Sequence, residues 1–538
     1  MAVTDEMETK AVISVYDKTG IVDFTRALHE ILPDMRIIST GNTAKVLQGA
    51  SIDVMSIEEV TGFPEILGGR VKTLQPEIHG GILANLEISS HVYDLKTHGI
   101  SPIDIVVVNL YPFSETVAKE GVTRAEAIEQ IDIGGVTLIR AAAKNADRVA
   151  IIFDPQDYDA VLTELRERNG TLSSGTRARL ALRAFDFTSQ YDGAIAEYLE
   201  KLEGKKFLDH LRLHGERRGE LRYGENPQQG AVVYALDTDD TLAFFRFDVV
   251  AGKPMSFNNW LDLTAGVNAV SYMGGEKPAC IVVKHTNPCG GAYGQRIEEA
   301  FERAWEGDAL AAFGGIVVVN RPIDVQLAQR MTERKFIEIV AAPEITPEAL
   351  EIFRKKPDMR VLVNSALIHP LPSVDKNIKP IRGGLLVQEP DTIEIDPTRW
   401  EILTEVAPTP DQIPDLLLAW QLCRTSKSNT IALVRNGMLV GSGVGQQDRK
   451  RCCELAVSKA VDGKTGEQRA QGAVAASDAF FPFPDGPEAL ILAGVKAIIQ
   501  PAGSKRDKET IDLCNKYGIA MVTTGTDSNG NRIRGFNH

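Results

Sequence analysis

From Ala11 to Phe153 the chain alternates short apolar runs with amphipathic stretches. The runs Ala11–Val15, Met35–Ser39, Asp104–Leu110 and Arg148–Phe153 predict strands. Between them, Ile21–Leu32 and Thr123–Ile131 carry apolar residues at helical spacing. This alternation predicts β-α-β units and a parallel sheet covered on both faces. Thr171–Leu202 is helical in pattern, with Arg183, Ala184, Phe187, Tyr191, Ile195 and Tyr198 forming a packing surface. Glu200–Glu220 is charged and poor in apolar residues, and a domain boundary is expected there, giving domains 1–205 and 206–538. Beyond it, Ala279–Val283 and Thr430–Val434 are apolar runs followed by glycine-containing stretches, and Gly307–Ala312 and Gly472–Ser477 come later in each half. The repeated order predicts an internal duplication. The chain closes with Lys496–Gln500, a Pro501–Ser504 turn, a helix and Ile519–Val522.

Composition narrows the class. A chain of 538 residues with 43% hydrophobic and 25% charged residues supports more than one core. Its net charge of −14 argues against general nucleic-acid binding, which needs a basic footprint. Local clusters of Lys and Arg still bind small anions. No apolar run reaches membrane-spanning length, and Met1–Lys10 is acidic and polar, unlike a targeting segment, so a cytoplasmic protein is expected. Six cysteines lie in the second half without a C-x-x-C pair, which predicts reduced thiols and no zinc site.

Several polar strings follow the apolar runs: Tyr16-Asp17-Lys18-Thr19-Gly20, Thr40-Gly41-Asn42-Thr43 and Asn109-Leu110-Tyr111-Pro112. Open parallel sheets bind ligands beyond the carboxyl ends of their strands, and helices starting there offer free N–H groups to phosphate. Each string alone is equally a plain turn or cap. Arg70-Val71-Lys72-Thr73 follows two glycines and suits an anion, or is a solvated basic loop. Asp132-Ile133-Gly134-Gly135 precedes the helical stretch Val136–Asn145, in which Arg140 and Lys144 share a face beside Ala141–Ala143. Small neighbours allow Lys144 to lie in a packed site with a lowered pKa; an exposed lysine on an alanine-rich helix is the equal alternative. In Lys284-His285-Thr286-Asn287-Pro288-Cys289-Gly290 the neighbouring ammonium disfavours a protonated imidazole, making His285 a candidate base. Arg222–Pro227, Asn429, Gly445–Arg449, Ser477–Phe483 and Arg534 are further candidates, with Phe480, Phe481 and Phe483 either core or a stacking wall.

In order and spacing these strings resemble the bifunctional purine biosynthesis family that joins phosphoribosylaminoimidazolecarboxamide formyltransferase to IMP cyclohydrolase. The resemblance spans essentially the whole chain. It implies an N-terminal methylglyoxal-synthase-like α/β domain and a C-terminal pair of cytidine-deaminase-like α/β subdomains without zinc, in a cytoplasmic homodimer whose formyltransferase sites lie at the subunit interface. It implies formyl transfer from 10-formyltetrahydrofolate to the aminoimidazole carboxamide ribonucleotide AICAR, then ring closure of formyl-AICAR to IMP, with no catalytic metal, nucleic acid or membrane. For ring closure it implies Lys144 as acid/base, helped by Asp132, with nucleotide contacts from Tyr16, Asp17, Lys18, Thr40, Gly41, Asn42, Thr43, Arg70, Val71, Lys72, Thr73, Val108, Asn109, Tyr111, Ile133 and Gly134. For formyl transfer it implies His285 as proton acceptor and Lys284 as transition-state stabiliser. Arg222, Tyr223, Gly314, Glu338, Asn429, Arg449, Phe480 and Arg534 would meet AICAR; Lys450, Asp485, Ser504 and Lys505 would meet the folate. Departures from the family pattern are Asn42 and Ala502 in place of glycine, Gln75 and Gln228 in place of histidine, Glu338 in place of aspartate, and the Gly535–His538 end. Two rivals stand beside this reading: a purely regulatory nucleotide-sensing N-terminal domain, and a metal-dependent deaminase.

Overall fold

The computed structural model describes residues 10–334 and 336–538, so nine residues of the acidic Met1–Lys10 segment lie outside the described residues. The chain forms two compact units, Met1–His214 and Gly215–His538, divided within the charged Glu200–Glu220 segment.

The first unit is built on β1 (Lys10–Ser14), α1 (Ile21–Ile31), β2 (Arg36–Ser39), α2 (Gly41–Gly49) and β3 (Met55–Ser56). Helices α3 (Ile57–Thr61), α4 (Pro76–Leu83) and α5 (Ser89–His98) lead to β4 (Ile103–Val108). Then follow α6 (Phe113–Val117), α7 (Arg124–Glu129), α8 (Gly134–Lys144), β5 (Ala150–Ile152), α9 (Tyr158–Glu167) and the long α10 (Ser174–Leu202). The strands lie in the order β3-β2-β1-β4-β5, and every pairing is parallel. Ala11, Val12, Ile13 and Val106 to Val108 are buried, as strands covered on both faces require. From β1 the chain steps outward to β3, then returns to β4 beside β1. The crevice beyond the carboxyl ends of β1 and β4 is therefore the switch point where such sheets take ligands.

The second unit opens with a ribbon, β6 (Gly215–Leu221) and β7 (Ala231–Leu236), then β8 (Asp248–Ala251). A repeat follows: α11 (Phe257–Met273), β9 (Ala279–Lys284), β10 (Asn287–Tyr293), α12 (Ile297–Gly307), β11 (Ile316–Val319), α13 (Val325–Glu333), β12 (Ile339–Ala342), α14 (Pro347–Arg354) and β13 (Arg360–Val363). After the ribbon β14 (Asn377–Ile381) and β15 (Gly384–Gln388), the same order returns. It runs α15 (Gln412–Arg424), β16 (Ile431–Arg435), β17 (Met438–Gly443), α16 (Arg449–Lys459), β18 (Val474–Ser477), α17 (Asp485–Leu492), β19 (Ala497–Gln500), α18 (Asp507–Tyr517) and β20 (Ala520–Thr523). The duplication is thus present in the fold. Gly307–Ala312 and Gly472–Ser477 are not counterparts, however: the first precedes β11 whereas the second contains β18.

The two repeats join through β10 and β17 into one sheet, ordered β20-β19-β18-β16-β17-β10-β9-β11-β12-β13-β8. α11 and α15 share the core on one face, where Val283, Val434 and Trp420 are buried together. Strand directions bring one set of ends to a single edge: the carboxyl ends of β9, β17, β18, β19 and β20, and the amino ends of β10, β11, β12, β13 and β16.

Candidate active sites

At the switch point of the first unit lies a cavity of about 670 Å³, lined among others by Tyr16, Lys18, Thr40, Gly41, Asn42 and Thr43. Arg70, Lys72, Thr73, Val108, Asn109, Tyr111, Asp132, Ile133 and Gly134 join them around it. Two helices, α2 and α8, begin at this cavity; the first turn of α2 has no side-chain cap, and on that of α8 Asp132 takes the Gly135 N–H. Their free N–H groups and positive dipole ends converge on one space. Lys18, Arg70 and Lys72 add cationic side chains. Lys72 also meets Glu65 at 3.1 Å, and Arg70 pairs with Glu129. Such a space is suited to a phosphorylated ligand.

The walls are tied together by short bonds. Asn109 after β4 accepts the Asp17 N–H at 3.0 Å and returns its amide to the Asp17 carbonyl at 3.0 Å, locking the two strand-end turns. Thr43 Oγ1 donates to the Val15 carbonyl at 2.9 Å, and Ser14 Oγ meets Thr40 Oγ1 at 2.7 Å. Lys18 donates to the Tyr16 carbonyl at 3.0 Å, and burial pushes its ammonium pKa down. Asp132 Oδ1 accepts the Gly135 N–H at 2.7 Å. Burial pushes its carboxyl above the ordinary range, while N–H groups of Gly135 and Tyr111 draw it back. Tyr191 of α10, expected only to pack, accepts the Asp132 N–H at 2.8 Å and donates to Gln130 at 3.1 Å.

In the second unit the candidate residues collect along the single sheet edge. Lys284 ends β9, and its Nζ donates to the carbonyls of Phe313 at 3.1 Å and Gly314 at 3.0 Å. Gly314 has φ +68°, and a Cβ there would stand 2.9 Å from that ammonium. His285 is exposed and, like Thr286, holds positive φ, at 51° and 62°. Just ahead of β12, Glu338 pairs with Arg360 at 2.7 Å and accepts from Asn259 of α11 at 3.3 Å. Neighbouring Asn258 reaches the Glu225 carbonyl at 3.2 Å, tying in the turn in which Arg222 stacks on Tyr223.

A second cluster lies on the β16–β18 side. Arg449 bonds Asn429 at 2.7 Å and pairs with the fully buried Asp478. Asp478 also accepts from Thr430 N–H at 3.0 Å and from Ser428. Arg534 lies 5.6 Å from the Phe480 ring. Phe481 is core, whereas Phe480 is partly open and Phe483 is exposed beneath Arg506. Lys450 and Asp485 stand in the first turns of α16 and α17, and Ser504 and Lys505 in the turn after β19. The clusters touch where Asn287 accepts the Lys427 N–H at 2.9 Å.

Comparison with known proteins assigns the fold its family. The family model for the AICARFT/IMPCHase bienzyme matches residues 142–459, and the MGS-like domain model matches residues 20–137. The chain belongs to the AICARFT/IMPCHase bienzyme family. It is similar to the bifunctional purine biosynthesis protein PurH of Bacillus cereus (strain B4264), at 44% identity over 99% of this chain and 100% of that protein. The PurH of Bacillus anthracis has the same 44% identity and the same coverage. A solved structure, the crystal structure of ForH, is 36% identical, covering 35% of this chain and 95% of that one, at a TM-score of 0.33.

Within this bienzyme chain, two residues of the expected nucleotide set, Asp17 and Val71, stand apart from the cavity lining. Exposed Asp17 accepts from the Thr19 hydroxyl at 2.7 Å in the turn before α1, and Val71 pairs by its backbone with Ile66. Lys144 also stands outside the lining. It ends α8, at the far end of the helix from the cavity, and is exposed. The bare Ala141–Ala143 turn is buried because α8 packs between the sheet and α10; it makes no room for a lysine. Ala502 has φ +57°, a conformation that favours glycine, which accounts for glycine elsewhere in the family pattern. All six cysteines are buried thiols, and among the described residues no group of three or more His, Cys, Asp or Glu is arranged to hold a metal.

Proposed function

We propose that each unit of this bifunctional purine biosynthesis enzyme carries one of the family's two reactions, ring closure in Met1–His214 and formyl transfer in Gly215–His538. The observation that carries the reading is the switch-point cavity, with two helix N-termini and three cationic side chains around one nucleotide-sized space. Phosphate would sit at the first turns of α2 and α8, with Lys18, Lys72 and Arg70 around it.

In formyl transfer, the AICAR 5-amino nitrogen attacks the formyl carbon of 10-formyltetrahydrofolate. The C–N10 bond breaks and N10 takes up a proton. The amine is conjugated and weakly nucleophilic, so removal of its proton by exposed His285 assists the attack. The ammonium of Lys284, held by the Phe313 and Gly314 carbonyls at the same strand end, stabilises the developing oxyanion. Arg222, Tyr223, Gly314, Glu338, Asn429, Arg449, Phe480 and Arg534 hold AICAR; Lys450, Asp485, Ser504 and Lys505 hold the folate. In ring closure the carboxamide nitrogen attacks the formyl carbon and water leaves. Asp132, whose carboxyl is pushed up by burial, is suited to exchange a proton there. Lys144 enters this step only if its ammonium reaches a cavity from which its own helix separates it.

The protein acts as a cytoplasmic homodimer. From Glu338 before β12 to Phe480 after β18 is six steps along the strand order, about 29 Å of sheet at usual strand spacing. One nucleotide does not bridge that span, which supports sites completed by a second copy. The test is incubation with AICAR and 10-formyltetrahydrofolate, following IMP, beside a fragment ending at His214 supplied with formyl-AICAR. IMP from the full chain and ring closure by the fragment are expected. A fragment no faster than the enzyme-free control refutes the assignment of ring closure to the first unit.

A further inference from the structure

Asp262 lies on α11, and its Oδ1 accepts the backbone N–H of Thr286 at 2.6 Å. That N–H belongs to the β9–β10 hairpin, where Lys284 pairs with Asn287 across a two-residue loop. Both loop residues, His285 and Thr286, have positive φ. Two-residue hairpin loops demand this backbone, and Asn-Gly supplies it most readily. A β-branched threonine there is a marked outlier. Outliers of this kind persist where their surroundings over-determine them, commonly at functional sites.

The second repeat is an internal control. Its β16–β17 hairpin closes the same way, with Arg435 paired to Met438 and φ of 54° at Asn436 and 72° at Gly437. Asp415 of α15 accepts the N–H groups of Asn436 at 2.6 Å and Gly437 at 2.5 Å. Each repeat therefore pins its hairpin turn with a carboxylate from the preceding helix. In the second repeat the turn residues are Asn-Gly, which favour the conformation, at the sheet edge away from the candidate groups. In the first they are His-Thr, of which the β-branched threonine resists it, at the edge where those groups collect.

We propose that Asp262 is a positioning residue for formyl transfer, holding the His285–Thr286 turn in the left-handed conformation that presents the imidazole at the sheet edge. The inference rests on the reading of His285 as the base. Thr286 Oγ1 and Asn287 Nδ2 hold the His285 carbonyl, each at 2.7 Å, so the peptide is fixed on both sides of the imidazole. The titratable groups facing Asp262 are His285, Lys284 and Glu338, the last paired to Arg360. Burial pushes the Asp262 carboxyl up, and the Thr286 N–H, His285 and Lys284 draw it back.

The experiment measures kcat and KM for AICAR in formyl transfer by the full chain. Asp262→Ala is expected to lower kcat about 10- to 100-fold, the scale of a misplaced catalytic group, with KM changed less than about twofold. Asp262→Asn keeps an oxygen for the Thr286 N–H and retains most of kcat. Adding Thr286→Gly to Asp262→Ala restores part of the loss, because glycine adopts positive φ without the pin; this double variant carries the test if Asp262→Ala alone does not fold. Asp415→Ala lowers thermal stability and leaves kcat near wild type. Wild-type kcat in Asp262→Ala overturns the proposal, as does equal loss in the Asn and Ala variants without rescue by glycine. Full activity in His285→Ala overturns instead the reading of the base, so the two failures are told apart.

Discussion

At the scale of single residues, His285 and Asp132 are the proposed groups by which the two reactions can be told apart. His285 stands exposed at the end of β9 in the second unit. His285→Ala is expected to slow formyl transfer roughly 10²- to 10⁴-fold, the range for a lost general base. Supplied formyl-AICAR should still close at the wild-type rate, and initial-rate assays of the two half-reactions check this. Asp132 carries a pH signature. Its folded carboxyl is raised above the ordinary value by burial, so it takes up a proton more readily folded than unfolded. The fold keeps its full stability below the unfolded pKa of a carboxylate and loses some as pH rises through the folded pKa. Asp132→Asn retains an oxygen for the Gly135 N–H and removes the charge. It should raise the melting temperature of the first unit at neutral pH, leave it unchanged below about pH 4, and slow ring closure by about 10²-fold. Melting curves across this pH range test the first part; equal shifts at both ends would show that the buried charge is not the cause.

At the scale of elements, the strands buried on both faces were legible because continuous apolar runs have few other uses: the four runs from Ala11 to Phe153 correspond to β1, β2, β4 and β5. The two-residue β3 and the exposed ribbons β6–β7 and β14–β15 carry too little apolar signal to be read. Cavity residues were legible because they follow strand ends; Tyr191 and Asp262 were not, since each sits in mid-helix and reaches its turn only through the tertiary fold. The alanine turn of α8 left two readings open for a related reason. Bare residues mark close helix packing as readily as room for a ligand, and here α10 and the sheet fill that space. Lys144→Ala is therefore expected to leave the KM for formyl-AICAR within about twofold of wild type. A fall in kcat alone would assign it the proton role that the resemblance implies, with its ammonium arriving from outside its own cavity. An unchanged kcat returns it to the exposed helix face it shares with Arg140.

At the scale of the whole molecule, duplication explains why the groups proposed for formyl transfer are spread as they are. Each repeat contributes its strand ends to the same edge, so Lys284, Gly314 and Glu338 come from the first and Asn429, Arg449 and Phe480 from the second. The Lys427 N–H bond to Asn287 couples the clusters without closing the distance between their ends. If one site draws its first cluster from one copy and its second from another, lesions in different clusters must complement. Lys284→Ala and exposed Arg534→Ala are suitable, because neither side chain is part of a buried core. Each variant alone should transfer formyl poorly while closing the ring normally. When the two are unfolded, mixed and refolded together, half of randomly paired dimers are mixed, and each mixed dimer holds one site with both lesions and one with neither. Recovery of about a quarter of wild-type formyl transfer is the expected result for such a twofold assembly. No recovery, with mixed dimers demonstrated by distinguishable tags, would mean that both clusters serve a site within one chain.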